Sequence, residues 1–167
     1  MTFQKINIQD FNINPFTAIG EDWMLITAGD QLKANTMTAS WGGMGVLWNQ
    51  NVVTVYVRPQ RYTKEFIDSQ DYFSLSFFQD YHKELRYLGN VSGRDIDKMN
   101  KAQLHITYLD GVPTFEEAKL VFIIQKIYQN TITPSGFIDN SLNQVNYPQK
   151  DYHIMYIGKI IDIYQKL

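Results

Sequence analysis

Alternation with a period of two recurs along this chain and constrains its fold more than any other feature. It runs through WMLITA (23–28), TMTASW (36–41), VVTVYV (52–57), YFSLSFF (72–78), LHITYL (104–109), LVFIIQKIY (120–128) and HIMYIGKIIDIY (153–164). Successive side chains point to opposite faces only in an extended strand, so each run predicts one. The residues fit: Val, Ile, Thr and aromatic rings suit a half-buried pleated surface, and Phe, Trp and Tyr make up 14% of the chain. Seven short strands separated by turn residues predict a barrel or a sandwich. Gly158 inside the last run predicts a bulge or a close backbone approach. Short helices interrupt the pattern: KEFIDS with Thr63 as its cap, HKELRYL from His82, IDKMNKA capped by Asp95, and FIDNSLNQV after the Pro134-Ser135-Gly136 turn. With no repeat and no linker, residues 1–167 read as one mainly β domain with 1–20 as a lead-in.

Composition removes whole classes of chemistry. The chain has no cysteine, which excludes disulfides, thiolate metal sites, iron–sulfur clusters and thiol catalysis. Three histidines far apart in sequence make a histidine metal site a poor expectation. Fifteen basic against seventeen acidic residues leave a net charge of −2, with no basic field for nucleic acid. The first residues lack an apolar signal core, and no stretch approaches the ~20 apolar residues of a membrane helix. A soluble, cytoplasmic protein is the expectation.

Four segments carry candidate chemistry. Arg58-Pro59-Gln60-Arg61-Tyr62-Thr63-Lys64 holds three cations and no acid where a strand meets a helix start. Forked guanidinium donors, a hydroxyl and free helix amides would bind a phosphate there, and a solvated basic turn has the same composition. Asn35-Thr36-Met37-Thr38-Ala39-Ser40-Trp41-Gly42-Gly43 sets small hydroxylated residues along a strand that ends in a glycine pair. A planar ring could approach that backbone, with Trp41 as a wall, or the strand is an ordinary one with polar outward positions. Asp151-Tyr152-His153 offers a histidine that reads as structural or as catalytic. Ser92-Gly93-Arg94-Asp95 reads as a turn and a helix cap. There is no GxGxxG, Walker, GxSxG or HExxH motif.

Taken together, WMLITAG, NTMTASWGGMGVLWN, VRPQRYTKEFI, YFSLSFF, LGNVSGRDIDK and DYHIMYIGKI resemble, in order, the flavin reductase-like family of FMN-binding split barrels, and its flavoredoxin-like branch in particular. The resemblance covers most of the chain from Trp23 onward. It implies a split β-barrel of Greek-key type with six strands and a few short helices, usually a homodimer with FMN near the interface. On that pattern backbone amides from Thr38 to Ser40 reach the polar edge of the flavin, with Met37, Ala39 and Trp41 on the same segment and Asn35 and Thr36 near the ribityl chain. Arg58, Arg61 and Thr63 fall where the family holds the FMN phosphate, with Tyr62 and Lys64 beside them. His153 falls where related reductases place a histidine by the nicotinamide or the flavin. Trp48-Asn49-Gln50-Asn51 departs from the prolines many members carry before the third strand.

The resemblance thus implies an FMN-dependent oxidoreductase that takes electrons from NADH or NADPH. An electron carrier that exchanges electrons with a redox protein, or a flavin-binding protein without catalysis, would need the same cradle. Flavin accepts hydride itself, so the protein's tasks are to position the reactants and to stabilise negative charge with backbone donors.

Overall fold

Each of the seven alternating runs carries a strand in the computed structural model, which describes residues 2–167. In chain order the elements are β1 (Phe3–Ile6), α1 (Pro15–Gly20), β2 (Met24–Gly29), β3 (Ala34–Ala39), β4 (Gly42–Leu47), β5 (Gln50–Val57), α2 (Thr63–Ser69), β6 (Tyr72–Phe77), α3 (His82–Asn90), α4 (Lys98–Lys101), β7 (Ile106–Leu109), β8 (Val112–Phe115), β9 (Leu120–Thr131), α5 (Asn140–Asn146) and β10 (Ile154–Lys166).

The main sheet is antiparallel, in the order β3-β2-β6-β9-β10-β5-β4, and β1 pairs with the far end of β10. Strands β3 and β4 are the two ends of that path, yet only Ser40 and Trp41 join them in the chain. A sheet whose two ends lie two residues apart has to curl back on itself, which makes a barrel split along β3 and β4. It holds eight strands rather than six: β10, thirteen residues long, outreaches β5 and pairs β1 at Ile163–Lys166.

Alternation sets what each strand buries. Met24, Ile26 and Ala28 on β2, Met37 and Ala39 on β3, Val53, Val55 and Val57 on β5, and Phe122 and Ile124 on β9 fill the barrel. The opposite faces of β2 and β9 are buried too: Leu25, Val121 and Ile123 meet Leu85 and Leu88 of α3 and Val112 and Phe115 of the small β7-β8 hairpin. Helix α3 is therefore bound to the outside of the sheet next to β3.

Several expectations need correction. Strand β4 was invisible to periodicity because GGMGVL has three glycines and hence little alternation to read. Pro113 hid β8, a short strand paired only with β7, where a missing donor is tolerated. Thr63 is not a cap: Tyr62 takes that position and Thr63 is the first helical residue, its hydroxyl engaged with Asn35. Asp95 is not a cap either: α4 starts at Lys98, and the Asp97 carboxylate accepts from the Asn100 amide at 3.1 Å. The Gly158 expectation holds, since the β9–β10 register shifts there and an added Cβ would lie 2.1 Å from Ile124 Cγ2. In place of prolines, Trp48 and Asn49 form a two-residue hairpin at φ 51° and 56°, as a type I′ turn demands.

Candidate functional site

Strand β3 pairs on one side only, so its outer backbone edge faces the split. Unpaired strand amides are hydrogen-bond donors awaiting a partner. The β3 side chains are mostly committed elsewhere. Thr36 is fully buried, its hydroxyl shared with Thr27 and Ile26 O. Met37 and Ala39 lie in the barrel core, and the Thr38 hydroxyl donates to Leu85 O of α3. Of the residues expected near the flavin, these four have only backbone to offer. Two glycines let α3 and the turn after it press against β3: a Cβ at Gly89 would sit 3.2 Å from Thr38 Cβ, and one at Gly93 only 2.1 Å from Asn35 Oδ1. Asn35 donates to the Thr63 hydroxyl at 2.8 Å, tying β3 to the first turn of α2.

Cations gather at this end of the split. Arg58, just past β5, donates to Asn146 O at 3.0 Å, pairs with Asp151 Oδ2 at 2.6 Å, and lies 5.2 Å from the Tyr147 ring centre. Arg61 donates to Gly89 O. Lys98 is buried, its ammonium donating to Leu88 O at 2.8 Å and Val91 O at 3.0 Å. Among the described residues neither Arg61 nor Lys98 pairs with a carboxylate. The charges disfavour one another. Burial, and next the Arg58 charge, lowers the pKa of Arg61; burial, and next Arg61, pulls Lys98 down to about 8. A bound anion relieves both costs at once, by neutralising the cations and by completing their hydrogen bonds.

His153 stands just before β10, 7% exposed, with Nδ1 2.9 Å from the Tyr147 hydroxyl and its ring 5.1 Å from that of Trp41. Burial first, then Arg58 and Arg61 against the opposing Asp151, holds its pKa down to about 4, so the ring is neutral at pH 7. Tyr62 packs edge-on against Phe66 under Arg94 and shares with Asn35 and Lys98 the wall of a cavity of about 610 Å³.

The structure thus joins Asn35 to Thr63, sets Arg58 beside Tyr147 and Asp151, and places His153 against Trp41 at the β3–β4 join, next to Ser40. Sequence reasoning did not single out Lys98 or Tyr147, and it took Asp151 only as a neighbour of His153. The SGRDIDK segment was the available signal for Lys98, but nothing local says that this lysine, rather than Lys101, turns inward.

A β-barrel split along one seam, with cations and free strand amides lining that seam, is the class that fold and site define. The family model for the flavin reductase like domain matches residues 17–166, and the chain belongs to that family. Among solved structures it is similar to flavoredoxin from Methanosarcina acetivorans, at 24% identity over 87% of this chain and 68% of that one, TM-score 0.66. An FMN-binding domain of a flavin reductases-like enzyme from Shewanella baltica OS155 matches at 16% identity over 98% and 77%, TM-score 0.70. A split-barrel-domain protein from Shewanella frigidimarina NCIMB 400 matches at 16% identity over 91% and 72%, TM-score 0.67. At these identities the similarity shows the fold, a mainly β split barrel. No curated protein matches the sequence at a significant level. Among the described residues no helix is long and apolar enough to cross a membrane, and no group of three metal-ligating side chains occurs.

Proposed function

We propose that the chain binds FMN in the split of the barrel and acts as an NAD(P)H-dependent flavin reductase. The observation that carries this reading is the cluster of Arg58, Arg61 and Lys98, of which, among the described residues, only Arg58 is paired with a carboxylate, that of Asp151. Two of the three are guanidinium groups with forked donors, and a phosphate dianion complements them in charge and geometry. The chain's residues fit the rest of the group as well. The Thr63 hydroxyl and the start of α2 lie beside the cations, and the free edge of β3 presents amides to a ring's polar rim. FMN, when bound, supplies a ring that accepts hydride. Arg58, Arg61 and Lys98 then anchor, the β3 amides stabilise negative charge, and Trp41 shields the ring end from water. His153 stays neutral and serves as a hydrogen-bonding neighbour.

The same reading makes the protein a homodimer. Along the free β4 edge Val46 is 71% exposed, and Trp41 and Trp48 expose about half of their surface, an apolar strip that a second copy would cover. The test is the absorbance of the purified protein with added FMN, before and after anaerobic NADH or NADPH, with light scattering for its mass. Bound flavin that bleaches within seconds supports the reductase. Bound flavin that both nicotinamides leave oxidised overturns it and leaves the electron carrier, and no uptake of FMN overturns the cradle itself.

A further inference from the structure

Across Trp41 from His153 lies a second cavity, of about 550 Å³, between α1 and the start of β4. Phe16 and Ile19 of α1, with Trp41, Met44, Ile132 and Tyr147, give it large apolar and aromatic walls, and none of the residues that line it is charged. Two further cavities are different. One, of about 730 Å³, is lined in part by Asp10, Asp22, Asp80 and Lys119, and the other by Lys33, Arg94, Asp95 and Lys98.

A cavity free of charge in a chain with 32 acidic and basic residues selects against any ligand that carries a phosphate or an ammonium. Two polar handles remain in it. No hydrogen bond among the described residues engages the hydroxyls of Ser40 and Tyr56, whereas the Tyr147 hydroxyl is taken by His153. A free phenol and a free alcohol on an aromatic wall are donors for a ring oxygen, and the volume suits one or two fused rings.

We infer that this cavity binds an uncharged, planar ring compound bearing carbonyl oxygens, of the quinone class, and that it seats the electron acceptor. The seat beside the flavin rests on the proposed function; the binding itself does not. Phe16 and Trp41 stack on the ring, and Tyr56 and Ser40 donate to its oxygens. NADH or NADPH, with a charged diphosphate, meets no charged side chain in the lining of this cavity.

Titration calorimetry on the flavin-free and the FMN-saturated protein tests this, with 2-methyl-1,4-naphthoquinone as the probe and 1,4-naphthoquinone-2-sulfonate as its charged counterpart. The chain has no cysteine to add to the quinone. The expected result is binding of the neutral quinone to both forms, at least tenfold weaker binding of the sulfonate, and about a fivefold loss in Tyr56→Phe. Ile132→Glu, which sets a charge in the wall, abolishes quinone binding and leaves FMN uptake intact. Equal affinity for the sulfonate overturns the inference, as does an absence of heat with either form of the protein. Competition between quinone and FMN also overturns it, since the cavity then belongs to the flavin ring. So does quinone binding that appears only below the concentration at which two copies associate, because the partner then fills the groove. A protein that binds the quinone and takes up no FMN keeps the cavity and loses the proposed function, so the two failures are distinct.

Discussion

If Lys98 helps to hold the phosphate as proposed, the affinity for FMN depends on pH through its ammonium. Burial and the Arg61 charge bring its pKa down to about 8 in the free protein. With that value about 90% of the molecules carry the ammonium at pH 7 and about 10% at pH 9. The FMN phosphate is a dianion throughout, so if only the ammonium form holds it, the apparent Kd rises about tenfold between pH 7 and pH 9. Lys98→Met keeps the length of the side chain and removes the charge. Loss of a charge-assisted hydrogen bond, about 1.5–3 kcal/mol, raises its Kd at pH 7 by about 10- to 150-fold and flattens the profile above pH 7. Folding responds with the opposite sign. Because the folded pKa lies below the unfolded value of 10.5, the unfolded chain holds more protons between about pH 8 and 10.5, and stability gains from this group as pH rises through that window. Quenching of FMN fluorescence at constant ionic strength reads the affinity, and thermal unfolding without flavin reads the stability. A wild-type Kd that is flat from pH 7 to 9, or a Lys98→Met profile that keeps the wild-type slope, refutes the assignment of Lys98 to the phosphate.

Three further outcomes are expected. Arg61→Ala weakens FMN binding by at least tenfold and changes turnover at saturating FMN little, since the residue anchors; a folded, fully loaded variant without turnover contradicts that role. His153 has a folded pKa of about 4, below its unfolded value of 6.5, so its contribution to stability is lost as pH falls from about 6.5 to 4. His153→Gln therefore loses less in thermal midpoint between pH 7.5 and 4.5 than the parent does, and equal losses refute the assignment. Gly158→Ala forces a methyl onto Ile124 at the bulge and costs about 1–3 kcal/mol in urea unfolding, whereas a neutral result means that β9 and β10 shift apart freely.

The alternation of residues in β2, β5, β6, β9 and β10 was enough to say which side chains share a face, because side-chain direction in a strand is a local property. The strand-to-helix junction at Arg58–Lys64 was legible for the same reason. Ser40 and Trp41 could be read as the end of a strand, but not as the link that closes the barrel. That follows from the order in which eight strands pair, a matter of contacts between residues far apart in sequence. The glycines of β4 left no local pattern, and its place is decided by pairing with β5. The site divides in the same way. Two arginines in a basic segment were plain from sequence, whereas their crowding with Lys98 and His153 depends on how α3, α4 and β10 dock around β3. Burial and the distance between like charges belong to that packing, so the depressed pKa values of Lys98 and His153, and the uncharged cavity beyond Trp41, exist only once the sheet has curled and the helices are bound to it.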